Sequence, residues 1–320
     1  MPDFTLQNYN FADRHEKQCC MIYLKSFDLP SNDIESEFFR RDTFPTYHAT
    51  LYPFQVFPQK GLSHIDFDDI TIFSGGNGSG KSTLLNVMCE NLGLKREAPF
   101  NKTALYDDYV AFTEGQMAQL PREEMRSMMD VSRIITSDDV FNHILDVRDR
   151  NDKIDFKRQV ILEQRMQYRS DPSARVREID FDDEESVGRY REYAEMSRKN
   201  LSASGYVKKH LGFNERTYSN GENGFKYFTD AIQPGGLYLL DEPENSLAAE
   251  LQTELADFLL GMARAYRCQF IISSHSPFIL SIPFAKIYDM DSFPVRTCRW
   301  TALPNIRLYH DFFKDHESEF

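Results

Sequence analysis

Ile70-Thr71-Ile72-Phe73 runs straight into Gly75-Gly76-Asn77-Gly78-Ser79-Gly80-Lys81-Ser82, and a helical pattern follows from Thr83 to Leu92. A short apolar run, a glycine-rich turn and a helix in this order match the GxxxxGK[ST] pattern in its proper setting. Glycines let successive backbone N–H groups converge on phosphate oxygens without Cβ clashes, and the helix that follows turns its positive end toward the same anion. Lys81 supplies a point charge for the β- and γ-phosphates, and the Ser82 hydroxyl is placed to ligate a divalent cation. A nucleoside triphosphate is thus expected on Gly75, Gly76, Asn77, Gly78, Ser79, Gly80, Lys81, Ser82 and Thr83.

Outward from this stretch, two further apolar runs end in polar groups. Leu237-Tyr238-Leu239-Leu240 ends in Asp241-Glu242, and two adjacent carboxylates at the end of a buried strand are costly unless a metal or a reaction needs them. Asp241 is expected to hold Mg²⁺, directly or through water, and Glu242 to orient or deprotonate an attacking water. Phe270-Ile271-Ile272 delivers Ser273-Ser274-His275, and His275 is expected to donate a hydrogen bond to a γ-phosphate. Between these runs, Leu247, Leu251, Leu255, Phe258, Leu259 and Met262 fall on one helical face. Strand, helix, strand implies a parallel crossover, and hence an α/β sheet.

Earlier in the chain, Tyr218-Ser219-Asn220-Gly221-Glu222 opens a helix with Phe225, Phe228 and Ile232 on one face. Alone, it reads as a turn and an N-cap. In series with the glycine-rich loop, a helical insertion, LLDEP and SSHSP, it resembles the signature of the ABC-type ATPases. The likeness is narrower to their soluble SMC, RecF and OLD-like branch, small bacterial proteins of the AAA family ATPase kind. It rests on Ile70 to Leu92, Tyr218 to Ser246 and Phe270 to Leu280. It implies a P-loop fold with a parallel or mixed sheet, antiparallel N-terminal strands and a helical lobe. It also implies MgATP hydrolysis by a head-to-tail homodimer in which Ser219, Asn220, Gly221 and Glu222 of one copy face the nucleotide on the other copy's Lys81. Asn245-Ser246-Leu247 would line that seam, with Glu242, His275 and Lys81 carrying the catalysis.

Two assignments stay open in the sequence. The glutamine that the resemblance expects at the metal site is Gln116, if Tyr109 to Thr113 is a strand; if Ser132 to Thr136 is the strand, Ser137 or Asp138 takes its place. The aromatic that stacks on adenine is one of Tyr52, Phe54 and Phe57. The YSNGE signature departs from the LSGGQ of transporters and favours the soluble branch. The alternatives are an ATP-binding subunit of a membrane transporter and a nucleotide-gated switch with little turnover.

The rest of the 320 residues bounds these expectations. The five cysteines form no CxxC pair, which fits a reducing cytosol. No apolar run approaches the ~20 residues that span a bilayer. A net charge of −13 does not indicate DNA as a partner, since affinity for nucleic acid comes mostly from phosphate neutralisation. Apolar residues cluster at Met21 to Phe27 and Leu51 to Phe57, which read as strands. Residues 1–137 and 213–320 read as two parts of one nucleotide-binding domain, interrupted by a helical insertion at 138–212. In that insertion one helix is expected around Val140 to Leu145, a second from Ile154 to Tyr168 and a third through Tyr190 to Leu201. Arg148 to Arg169 is basic, and Asp180 to Glu185 reads as an acidic loop. Beyond His275, a strand at Val295 to Thr301 and a helix at Asn305 to His316 leave no room for a nuclease, so any effector is expected as a separate protein.

Overall fold

A computed structural model describes residues 21–40, 50–170, 187–188 and 219–320. It divides into two units, residues 1–140 with 224–320, and residues 141–223. In chain order the first unit begins with β1 (Leu24–Asp28), α1 (Asn32–Phe39), β2 (His64–Asp66), β3 (Ile70–Ser74) and α2 (Lys81–Leu92). It continues through α3 (Tyr106–Val110), β4 (Glu114–Met117), α4 (Arg122–Val131) and β5 (Arg133–Thr136). The helix α5 (Ser137–Ser170) leads out of this unit and α6 (Asn220–Ala231) leads back. Then come β6 (Leu237–Asp241), α7 (Ala249–Tyr266), β7 (Gln269–Ser273), α8 (Pro277–Leu280), β8 (Lys286–Asp289), β9 (Arg296–Thr297) and α9 (Pro304–Asp315).

Six strands form one sheet in the order β5-β6-β7-β3-β8-β9, parallel except for the last pair. Its central strands carry apolar cores because both faces are covered: Leu237 to Leu240 and Phe270 to Ile272 are fully buried. The helix α2 covers the sheet with Leu84, Leu85, Val87 and Met88, and α7 buries Leu255, Leu259, Met262 and Ala263 at helical spacing. A second, antiparallel sheet has the order β2-β1-β4. This is the expected mixed α/β architecture with antiparallel N-terminal strands.

Two buried polar side chains join the sheets. Gln269, at the start of β7, accepts from the backbone N–H groups of Tyr23 (2.9 Å) and Leu24 (2.8 Å) and donates to the carbonyls of Leu24 (2.9 Å) and Asp68 (3.1 Å). The Tyr288 hydroxyl accepts from Asp66 N–H (3.1 Å) and donates to Asp66 O (2.9 Å). Each spends its hydrogen-bonding capacity on backbone groups that would otherwise be buried without partners.

Four expected elements are corrected. Leu51 to Phe57 is a run of turns and no strand, since Pro53 lacks a ladder donor and the aromatic side chains leave in different directions. Phe54 stacks on Phe38 (4.8 Å) and meets Tyr109 edge-on (5.0 Å). Tyr109 to Thr113 is not a strand either. Tyr106 and Tyr109, three apart and both fully buried, mark the inner face of the short helix α3. The two helices expected from Val140 to Tyr168 are one continuous helix, α5, with no glycine or proline between them to break it. The strand expected at Val295 to Thr301 shrinks to the two residues of β9. The third insertion helix and the acidic loop lie outside the described residues.

Candidate functional site

The C-terminal ends of β3, β7 and β6 form one edge, and β7 lies between the other two. That order brings the glycine-rich loop after β3, His275 after β7 and the Asp241-Glu242 pair at the end of β6 side by side. Gly78 and Gly80 take backbone φ of +79° and +93°, the left-handed region that only glycine adopts without strain. Gly75 is required for a second reason: a Cβ there would stand 2.9 Å from Met290 Cβ and 2.9 Å from Ser79 Oγ. Ser79 Oγ is itself buried without a hydrogen-bond partner among the described residues, a polar atom held inside the glycine-rich loop.

Lys81 is buried, and its ammonium donates to the carbonyls of Gly75 (2.8 Å) and Gly76 (3.2 Å). Its Nζ also stands 2.9 Å from His275 Nε2, which in turn is 3.4 Å from Glu242 Oε1. One ring nitrogen thus faces an ammonium and a carboxylate. It can accept from Lys81 or donate to Glu242, but not both at once, because each tautomer gives that nitrogen a single role. Burial lowers the Lys81 pKa, opposed by the carboxylates of Glu242, Asp241, Asp291 and Glu244.

The two acids differ by environment. Asp241 is pushed up by burial and held back by hydrogen bonds from Ser273 and Ser82. Ser82 Oγ donates to its Oδ1 at 3.0 Å. The hydrogen bond from His275 holds Glu242 down, at about 2, helped by Asn245, whose Nδ2 donates to Glu242 Oε2 (2.8 Å). A serine hydroxyl beside a carboxylate is the oxygen donor set that a hard cation such as Mg²⁺ takes, with waters and substrate phosphates completing its shell. Among the described residues no group of three or more His, Cys, Asp or Glu could hold a metal ion.

Gln116 is not brought to this edge. It sits exposed on β4, in the antiparallel sheet, because the residues before it form α3. The alternative strand is real: β5 pairs with β6, Thr136 opposite Asp241, so Ser137 and Asp138 follow at the edge where Asp241 stands. Of the three aromatics, Phe54 and Phe57 are buried, and Phe57 with Val56 backs Gly80. Tyr52 is half-buried and donates through its hydroxyl to Thr83 Oγ1 (3.1 Å), which leaves it alone of the three not fully buried.

Tyr218 lies outside the described residues. Ser219 and Glu222 form a reciprocal cap at the start of α6. Ser219 N–H and Oγ–H both reach Glu222 Oε2 (2.8 Å each), and Glu222 N–H returns to Ser219 Oγ (3.3 Å). Asn220 accepts from Arg148 (2.6 Å), and Gly221 lies in the first turn.

Two side chains at the edge carry no motif of their own. Asp291, after β8, accepts from Gly76 N–H (2.6 Å). No local signal marks it, since only the pairing of β8 with β3 brings it there. Glu244 accepts from the loop around His275, and the acid-rich run Asp241-Glu242-Pro243-Glu244 after a buried strand is the signal that could have found it.

Comparison with known proteins adds the following. The family model described as ABC transporter matches residues 64–245, more than half of the chain. The model described as AAA domain, putative AbiEii toxin, Type IV TA system, matches residues 225–281. No curated protein matches. Among solved structures, the Smc head domain of Pyrococcus furiosus, with an extended coiled coil and bound to the C-terminal domain of ScpA, is similar at 14% identity. The match covers 92% of this chain and 99% of that one with a TM-score of 0.39. The SMC head domain of Thermotoga maritima is similar at 12% identity over 87% and 99%, TM-score 0.32. A dimeric ATP-binding cassette bound to ADP and Pi is similar at 13% identity over 74% and 88%, TM-score 0.33.

Proposed function

The chain belongs to the ABC-type ATPases, and from that premise we propose that it binds MgATP on Gly75 to Thr83, pairs head-to-tail with a second copy and hydrolyses the nucleotide between them. The observation that carries this reading is the convergence of Lys81, His275 and Glu242 on one sheet edge, with nitrogen and oxygen atoms 2.9 and 3.4 Å apart. Lys81 and the backbone N–H groups of the loop bind the phosphates, and Lys81 exchanges its carbonyl partners for phosphate oxygens. Ser82 and Asp241 would hold Mg²⁺, which supplies charge neutralisation at the β- and γ-oxygens. Glu242 remains ionised at neutral pH, so it accepts hydrogen bonds and orients a water for attack. His275 presents its ring nitrogen between that water and the phosphate. Tyr52 offers its ring to the base. Ser219 and Gly221, at the start of α6, offer a capped helix end to the partner's nucleotide. The work of the cycle is passed to a separate effector protein, a role of the DNA repair or anti-phage defence type.

The test uses Glu242→Gln, which keeps the phosphate contacts and removes the carboxylate that acts on water. It should bind ATP, hydrolyse it at least about a hundredfold more slowly, and accumulate as a dimer in sedimentation with MgATP. Adding Ser219→Arg places bulk and charge against the partner's nucleotide and should return it to monomer. A monomeric Glu242→Gln, or a dimeric double variant, contradicts the sandwich.

A further inference from the structure

The loop that carries His275 is fixed by a side chain from the turn after β6. Glu244 Oε1 accepts from Ser274 Oγ (2.8 Å), from the backbone N–H of His275 (2.6 Å) and from that of Ser276 (3.1 Å). Gln252 of α7 reinforces the join: its Nε2 donates to Leu247 O (2.8 Å), and its Oε1 accepts from Ser276 Oγ (2.6 Å). Leu247 N–H reaches back to Glu244 O (2.9 Å), which closes the turn after β6 on itself. Three consecutive residues centred on His275 thus hang on one carboxylate oxygen.

The other oxygen, Oε2, is buried and has no hydrogen-bond partner among the described residues. A buried carboxylate with one oxygen unsatisfied costs stability, and its burial pushes the Glu244 pKa up. Stability alone does not account for an acid here.

We propose that Glu244 is a positioning residue, which holds the His275 backbone so that the imidazole stays between Lys81 and Glu242. This rests on the ATPase reading above and deepens it. Glu244 directs its hydrogen bonds to the Ser274–Ser276 loop and none to the glycine-rich loop, so it acts on turnover through His275 and leaves nucleotide binding alone.

The experiment compares kcat, and the Kd for a fluorescent ATP analogue, in wild type, Glu244→Ala and Glu244→Gln, with thermal melts alongside. Glu244→Ala strips three donors of their acceptor, and kcat should fall about ten- to a hundredfold with Kd unchanged within about twofold. Glu244→Gln keeps an oxygen in the accepting position and should restore kcat to within about threefold of wild type. A kcat for Glu244→Ala within twofold of wild type overturns the inference, as does an equal loss in both variants. If Glu244→Ala unfolds below the assay temperature, Ser274→Ala carries the test by removing one donor at little cost in packing. It should lower kcat about threefold at unchanged Kd, and a wild-type kcat overturns the proposal. Wild-type protein that binds the analogue yet never turns over ATP overturns the ATPase reading itself, and the inference with it.

Discussion

Glu242 adopts a backbone φ of +49°, uncommon for a residue with a side chain, and its N–H is held by Ser273 O at 3.0 Å. Such strain costs on the order of 1 kcal/mol and persists because the neighbouring strand over-determines it. Here it turns the carboxylate back toward Lys81 and His275. A second titrating contact lies far from this edge. His64 pairs across β1 and β2 with Asp28 (Nδ1 to Oδ1, 2.6 Å) and reaches Asp66 (3.1 Å). Hydrogen bonds to Asp28 first, and then to Asp66, raise its pKa. A folded-state pKa above the unfolded value of about 6.5 gives stability that is fully present below that value and is lost as pH rises through the raised one. Wild type should therefore melt above His64→Gln at pH 5.5, and the two should converge at pH 8.5. The groups are half-exposed, so the gap is small, and a gap that widens with pH would contradict the assignment.

At the scale of elements, the start of α5 shows how a short run fixes a boundary. Thr136 and Asp139 cap it reciprocally: Thr136 N–H and Oγ–H reach Asp139 Oδ2 (2.7 and 2.8 Å), and Asp139 N–H returns to Thr136 Oγ1 (3.4 Å). The other oxygen of Asp139, which is buried, accepts from Ala98 N–H (2.6 Å). Asp139→Ala should cost about 2 kcal/mol, the loss of a cap plus an orphaned N–H, in urea unfolding followed by circular dichroism. Asp139→Asn, which keeps an acceptor, should recover about half, and a cost under 0.5 kcal/mol for the alanine variant would refute the account. The sequence signalled such elements unevenly. Ile70 to Ser74, Leu237 to Asp241 and Gln269 to Ser273 were legible because buried parallel strands are apolar throughout and end in polar residues with chemistry to do. Leu51 to Phe57 reads as a strand because its aromatic density imitates one, while Pro53 denies it a ladder donor. The place of Gln116 turned on whether Tyr109 lies in a strand or a helix, and only tertiary burial of Tyr106 with Tyr109 decides that. Asp291 meets Gly76 only through the pairing of β8 with β3, so no local pattern announces it, whereas Glu244 stands in the acid-rich run that follows β6 and only its partners in the Ser274–Ser276 loop are hidden from the sequence.

For the whole molecule, charge sets the sign of the next expectation. Each copy carries −13, and bound nucleotide adds more negative charge to any pair of copies. The groups offered across the proposed seam, Ser219 and Gly221, are neutral, and the neighbouring Glu222 is acidic, so the seam offers few ion pairs for salt to weaken. Long-range repulsion between the copies is screened as the Debye length shrinks from about 14 Å at 50 mM to about 4–5 Å at 500 mM. The MgATP-bound dimer of Glu242→Gln should therefore tighten with salt, by about threefold or more over that range at saturating nucleotide. Binding to DNA would do the opposite and weaken steeply, because each neutralised phosphate releases a counterion. Sedimentation of the labelled variant across a KCl series, with and without a DNA duplex, reads both slopes in one experiment. A dimer that dissociates as salt rises would place ion pairs at the seam and overturn the neutral-seam picture. A complex with the duplex at 50 mM that vanishes by 200 mM would locate a basic strip that the net charge conceals.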